Sequence, residues 1–115
     1  MKTVKLIINN KILYKALLCN TTLTRTLGLM LRKKLLAAVL VLPLETRFNA
    51  MVHTLFMFYK LNIYWLDRKF NIVDCKLNVK PFTFSIMPKK KAKYIIELPV
   101  NYKLKTKDKI ELRFA

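Results

Sequence analysis

Ala92-Lys93-Tyr94-Ile95-Ile96-Glu97-Leu98-Pro99 is the stretch on which the fold turns. Tyr94, Ile96 and Leu98 alternate with Lys93, Ile95 and Glu97, which is the two-residue period of a strand. Apolar side chains fall on most of both faces, so this strand belongs inside a sheet rather than at its rim. Toward the C-terminus, Ile110, Leu112 and Phe114 alternate with Lys109, Glu111 and Arg113, a half-buried strand, with turns at Asn101 and Lys107-Asp108 between. Upstream, Asp67-Arg68-Lys69-Phe70-Asn71 reads as a hairpin turn into Ile72 to Val79. Ala50 to Leu66 is aromatic and branched but too long for one strand, and it bends or pairs with itself around Tyr59-Lys60-Leu61-Asn62.

Further upstream, Ala37-Ala38-Val39-Leu40-Val41-Leu42 is an apolar run ended by Pro43, as expected of a strand buried on both faces. Val4 to Ile8 and Ile12 to Leu18 flank Asn9-Asn10-Lys11, a hairpin pattern. Helical spacing occurs where Thr21 or Thr22 can cap and Leu23, Leu27, Met30 and Leu31 recur. Gly28 lies within that helix at a cost of about 1 kcal/mol against Ala, which suggests close packing there. The pattern predicts a mostly β fold, a small antiparallel β-barrel or sandwich with one short helix near residues 21–32. No repeat, linker or compositional break appears, so residues 1–115 are expected to form a single domain.

Composition bounds the function. The chain of 115 residues is 54% apolar and 25% charged, which excludes a disordered tail. Its single Gly excludes a Gly-rich phosphate loop. Twenty-three Lys and Arg against six Asp and Glu give a net charge of +17, an excess that attracts polyanions such as nucleic acid, the ribosome or an anionic surface. A solvated lysine coat is the alternative. Cys19 and Cys75 with the lone His53 supply too few ligands for a zinc site, so no metal and no cofactor is expected. Both cysteines sit in apolar segments, so buried free thiols are expected, which suits a reducing cytoplasm. The longest apolar run, Leu35 to Leu44, contains Pro43 and is about half the length needed to span a bilayer as a helix. No signal-peptide core stands out near the N-terminus, so a cytoplasmic protein without a transmembrane segment is expected.

Nothing ties Ser85 or a cysteine to His53 and a carboxylate as nucleophile, base and orienter, so no catalytic residue is assigned. His53 lies in an apolar segment and reads as a hydrogen-bonded structural residue; Phe56-Met57-Phe58-Tyr59 and Tyr64-Trp65 read as core. Lys89, Lys90, Lys91 and Lys93 together with Lys103, Lys105, Lys107 and Lys109 form the candidate polyanion-binding set, on the expectation that the last two strands pair as neighbours.

The order of motifs resembles one known family. Thr26-Leu27-Gly28-Leu29-Met30-Leu31-Arg32 is similar to the R-G-L-M-F-R signature of domain-of-unknown-function family 192. Glu45 to Met57 resembles the archaeal form of its middle motif, Leu61 to Asp67 its P-[IL]-D-hydrophobic-L-D strand, Val79-Lys80-Pro81-Phe82 its K-P-W segment and Ala92 to Pro99 its A-K-Y-V-L-E-L-P strand. The resemblance implies a small β-barrel or sandwich with a short helix and no known reaction. It also implies a candidate pocket of Gly28, Arg32, His53, Met57, Asn62 and Asp67, where helix and sheet would meet. The family's P-[IL]-D has Lys60 and Asn62 here for its Pro and Asp, and the Arg that opens its R-G-L-M is Thr26, with Arg25 beside it as a substitute. Asn62 offers a hydrogen-bonding amide that neither ionises nor acts as a base. These readings give a non-enzymatic β-domain protein with an undefined ligand- or partner-binding role, the alternative being a basic nucleic-acid- or ribosome-associated accessory protein.

Overall fold

The computed structural model describes residues 3–20, 37–47, 50, 59–83 and 86–114. Seven strands run through them: β1 (Thr3–Ile8), β2 (Lys11–Cys19), β3 (Ala38–Thr46), β4 (Leu61–Leu66), β5 (Ile72–Val79), β6 (Ala92–Pro99) and β7 (Ile110–Phe114). They form one sheet in the order β5-β4-β6-β3-β2-β1-β7, with β5 and β7 at its rims. The mostly β expectation holds. The expected helix near residues 21–32 lies outside the described residues.

Strand β6 is the hub, pairing antiparallel with β3 on one side and β4 on the other. Its alternation explains this place: Ile95 faces a cluster with Leu40, Leu61, Ile63 and Trp65, while Ile96 and Leu98 face a second cluster with Val39, Tyr64 and Leu66. Fully burying each such side chain is worth about 1.5–3 kcal/mol. All six residues of β4 are buried, which accounts for its lack of polar alternation. On the first face, Trp65 Nε1 donates to the Ala50 carbonyl at 2.7 Å and so ties the chain before β4 onto the sheet.

The second cluster runs along one face from Tyr64 of β4 through Ile96, Val39, Leu18 and Val4 to Ile110 of β7, with Tyr102 and Leu104 packed against it. The chain after β6 thus crosses this face: the Leu104 amide donates to the Tyr64 hydroxyl, and the next amide, that of Lys105, donates to Asp108, which accepts from Asn9 at the β1–β2 turn. The sheet curls about this face as an open half-barrel. One pairing departs from the antiparallel expectation: β2 and β3 run parallel, Leu17 opposite Ala38. Parallel neighbours need a long crossover, and residues 20–37 provide it.

Turn chemistry follows the residues. Asn9 and Asn10 have φ of 51° and 68°, the doubly left-handed pair that a two-residue hairpin favours and that Asn tolerates. One position beyond that turn the pairing slips: Ile7 faces Ile12 but Leu6 faces Tyr14, so β2 carries an extra residue. The slip decides a side of the sheet. In an unbroken ladder Lys15 would stand opposite the buried Val4; after the bulge it stands opposite the exposed Lys5.

Candidate functional site

Of the six candidate pocket residues, Gly28, Arg32, His53 and Met57 lie outside the described residues. Asn62 and Asp67 are described, and they stand at opposite ends of β4. That is about 17 Å along a strand, so the structure does not bring these two side chains together.

Each performs a local structural task. Asn62 is fully buried. Its Nδ2 donates to the Tyr102 carbonyl at 2.9 Å and the Val100 carbonyl at 3.3 Å, and its Oδ1 accepts from the Asn78 amide at 3.0 Å. One amide thus ties β4 to the end of β5, where Asn78 has a φ of 54°, and to the chain leaving β6. Tyr64 extends the tie, its hydroxyl accepting from the Leu104 amide at 2.9 Å. Burial raises the Tyr64 pKa, only partly offset by that hydrogen bond.

Asp67 organises the β4–β5 turn. Its Oδ1 accepts from the amides of Lys69 and Asn71, both at 2.9 Å, and its Oδ2 accepts from Asn71 Nδ2 at 3.3 Å. Partial burial pushes the carboxyl pKa up, but these hydrogen bonds and the nearby Lys69 outweigh it and hold the value below the ordinary one. Asp67, Arg68, Lys69, Asn71 and Glu45 line a shallow open depression, with Arg68 Nε 3.8 Å from Glu45 Oε2. Replacing Asp67 by Ala should cost about 1 kcal/mol, since it removes the carboxylate that caps the amides of this exposed turn. Because the folded pKa is depressed, the stability Asp67 supplies is present above its unfolded pKa and is lost as pH falls through the folded value. Chemical denaturation of wild type and variant at pH 7 and pH 2.5 checks this, with the difference shrinking at the lower pH.

The eight candidate lysines do not share one face. Strands β6 and β7 were expected as neighbours, yet β3, β2 and β1 lie between them. The run 89–93 sits at the start of β6, with the Lys89 amide donating to Asp74 Oδ2 of β5 at 2.8 Å. Lys93 is half-buried and engaged, its Nζ donating to the carbonyls of Leu42 and Pro43. Lys105 and Lys109 cluster instead at the β1–β2 turn: Asp108 accepts from the Lys105 amide and from Asn9, and Asn9 exchanges backbone and side-chain bonds with Lys109. Because β2 runs parallel to β3, whose far end pairs with Ala92 at the start of β6, that turn is at the opposite end of the sheet from Lys89 to Lys91.

A different set of cations does meet. Lys15 of β2 stands opposite Lys5 of β1, and Lys5 stands opposite Arg113 of β7. All three are exposed. Sequence reading missed this row because its register depends on the bulge in β2. Among the described residues no group of three His, Cys, Asp or Glu side chains could hold a metal ion, and no described helix is long and apolar enough to cross a membrane.

A curled, mostly β sheet carrying these motifs in this order defines a class of small β-domain proteins. The model of domain-of-unknown-function family 192, described as an uncharacterized ACR, matches residues 5–111, and the chain belongs to that family. It is similar to UPF0127 proteins of archaea: 43% identical over 82 residues to one from Pyrococcus horikoshii, covering 71% of this chain and 70% of that one. A second, from Pyrococcus abyssi, is 37% identical over 101 residues, covering 84% and 85%. A crystal structure from Sinorhizobium meliloti, described as a putative transcription regulator, superposes with a TM-score of 0.79 at 16% identity, covering 96% of this chain and 92% of that one. That likeness carries the fold alone.

Proposed function

We propose that this chain is a non-enzymatic binding domain whose partner is a polyanion, nucleic acid being the class its charge fits best. The observation that carries this reading is the +17 charge set against two ion pairs among the described residues, Arg68–Glu45 and Lys109–Glu111. A surface this unneutralised holds a positive potential that draws in phosphate chains without reading bases. The composition of the cations supports the same limit, since lysine supplies point charge rather than the planar fork that reads guanine. Asn62 of β4 and Asp67 just after it are occupied by structural bonds, which supports binding rather than chemistry at those positions.

Titration of the protein into labelled RNA and DNA oligonucleotides of two unrelated sequences, at low salt, tests this. Comparable binding to both sequences is expected. No binding at low salt would leave the lysines as a solvated coat and overturn the reading.

A further inference from the structure

Three of the exposed cations stand in one row, and the row has a chemistry of its own. Lys15, Lys5 and Arg113 stand side by side across β2, β1 and β7, where neighbouring strands are about 4.8 Å apart. Their Cα positions therefore span roughly 10 Å. Like charges directly opposite each other on a sheet are destabilising, and Lys5 has such a neighbour on both sides. Among the described residues none of the three makes an ion pair. Glu111, on the same face two residues along β7 from Arg113, lies 3.6 Å from Lys109 Nζ, and Asp108 accepts from Asn9 and Lys105.

Arg113 is the informative member. Of the three arginines among the described residues, Arg68 is paired with Glu45 and Arg47 donates to the Pro88 carbonyl at 2.9 Å. Arg113 has no such partner among the described residues and stays exposed at the rim strand. A free guanidinium fork at the end of a row of two ammonium groups is a phosphate-binding combination, the fork binding bidentately and the lysines adding charge.

Resting on the polyanion reading above, we propose that Lys15, Lys5 and Arg113 form a row that grips successive phosphates of a nucleic acid duplex. A duplex is favoured over a single strand by what surrounds the row. Single-strand platforms stack bases on exposed aromatic rings, and among the described residues the large exposed aromatic, Phe82, follows β5, at the opposite rim of the sheet. The bound phosphates turn the repulsion around Lys5 into attraction, so the cost of the row in the free protein is recovered on binding.

The test compares Lys5→Gln/Lys15→Gln/Arg113→Gln with wild type and with Lys89→Gln/Lys90→Gln/Lys91→Gln. Each is titrated against a labelled random-sequence DNA duplex, the matching single strand and vesicles containing anionic lipid, at low salt. Duplex affinity of the row variant should fall at least about tenfold, since three phosphate contacts go with it. The 89–91 variant should stay within about twofold of wild type, as these lysines lie at the other end of the sheet. The thermal midpoint of the row variant should be unchanged or higher, because like-charge repulsion is removed; Lys5→Gln alone, with a smaller loss of affinity in the same direction, serves if the triple variant folds poorly. Unchanged duplex affinity of the row variant would overturn the row while leaving the polyanion reading intact. Tighter binding to the single strand or to vesicles than to the duplex would overturn the choice of partner. Absence of wild-type binding to all three would overturn both.

Discussion

Asn62→Asp should lower stability at neutral pH by about 3 kcal/mol or more, and more than Asn62→Ala does. The order is the informative part, because Asp is closer to Asn in size and is the residue the family's pattern has at this position. Nδ2 of Asn62 faces two carbonyl oxygens, those of Tyr102 and Val100. A carboxylate there points an anionic oxygen at two acceptors in a site closed to water. Alanine merely leaves those groups and the Asn78 amide unsatisfied, at about 1–3 kcal/mol for a stranded group. Protonation partly rescues the Asp variant, since a neutral acid donates to one carbonyl. Its folded pKa is accordingly raised, and the deficit shrinks as pH falls toward the unfolded carboxyl value. Urea denaturation of wild type, Asn62→Ala and Asn62→Asp at pH 7 and pH 4.5 measures both effects. An Asp variant as stable as wild type at pH 7 would show that the amide is not the bond donor assigned here.

Glu97 gives the second large effect. It is buried in the hub strand with Ala38 and Ile63 as its cross-strand neighbours. Burial pushes its pKa up to about 7, and among the described residues no counter-charge or hydrogen bond offsets it. A carboxyl whose folded pKa is raised keeps its proton in the native state while the unfolded chain gives it up. Stability therefore falls as pH rises between about 4.5 and 7 and is level outside that window as far as this group is concerned. The drop is about 3 kcal/mol. Glu97→Gln abolishes it, making the variant more stable than wild type at pH 8 and no more stable at pH 4.5. Parallel pH dependence in the two proteins would show that Glu97 is not the titrating group.

Much of this fold was legible in the residues. The two-residue alternation of β6 placed it inside the sheet, and Asn9-Asn10 announced the first hairpin because both positions need a left-handed backbone. Asp67 and Asn71 announced the β4–β5 turn through side chains that bond their own backbone. Strand order was not legible. Hairpin signals are local, whereas the parallel pairing of β2 with β3 is made by a crossover, and it is this pairing that keeps β6 and β7 apart. The expected lysine face failed with that adjacency. The row that does form depends on a single extra residue near Leu13, which no alternation rule reveals because the flanking residues are apolar on both sides of the slip. Asn62 is a similar case: its residue type showed an amide, but its partners, on β5 and beyond β6, are distant in the chain.

The reading of the surface as a phosphate-binding one is tested most directly by the salt dependence of wild-type binding to a random-sequence DNA duplex. Counterion release makes the logarithm of the association constant fall linearly with the logarithm of salt concentration, by about 0.9 per phosphate neutralised. A row of three cations alone predicts a slope of about −2.7, and further surface lysines make it steeper. A line at least that steep, the same for two unrelated sequences, is the expected result. A flat line, or binding that survives salt for one sequence and not the other, would contradict it.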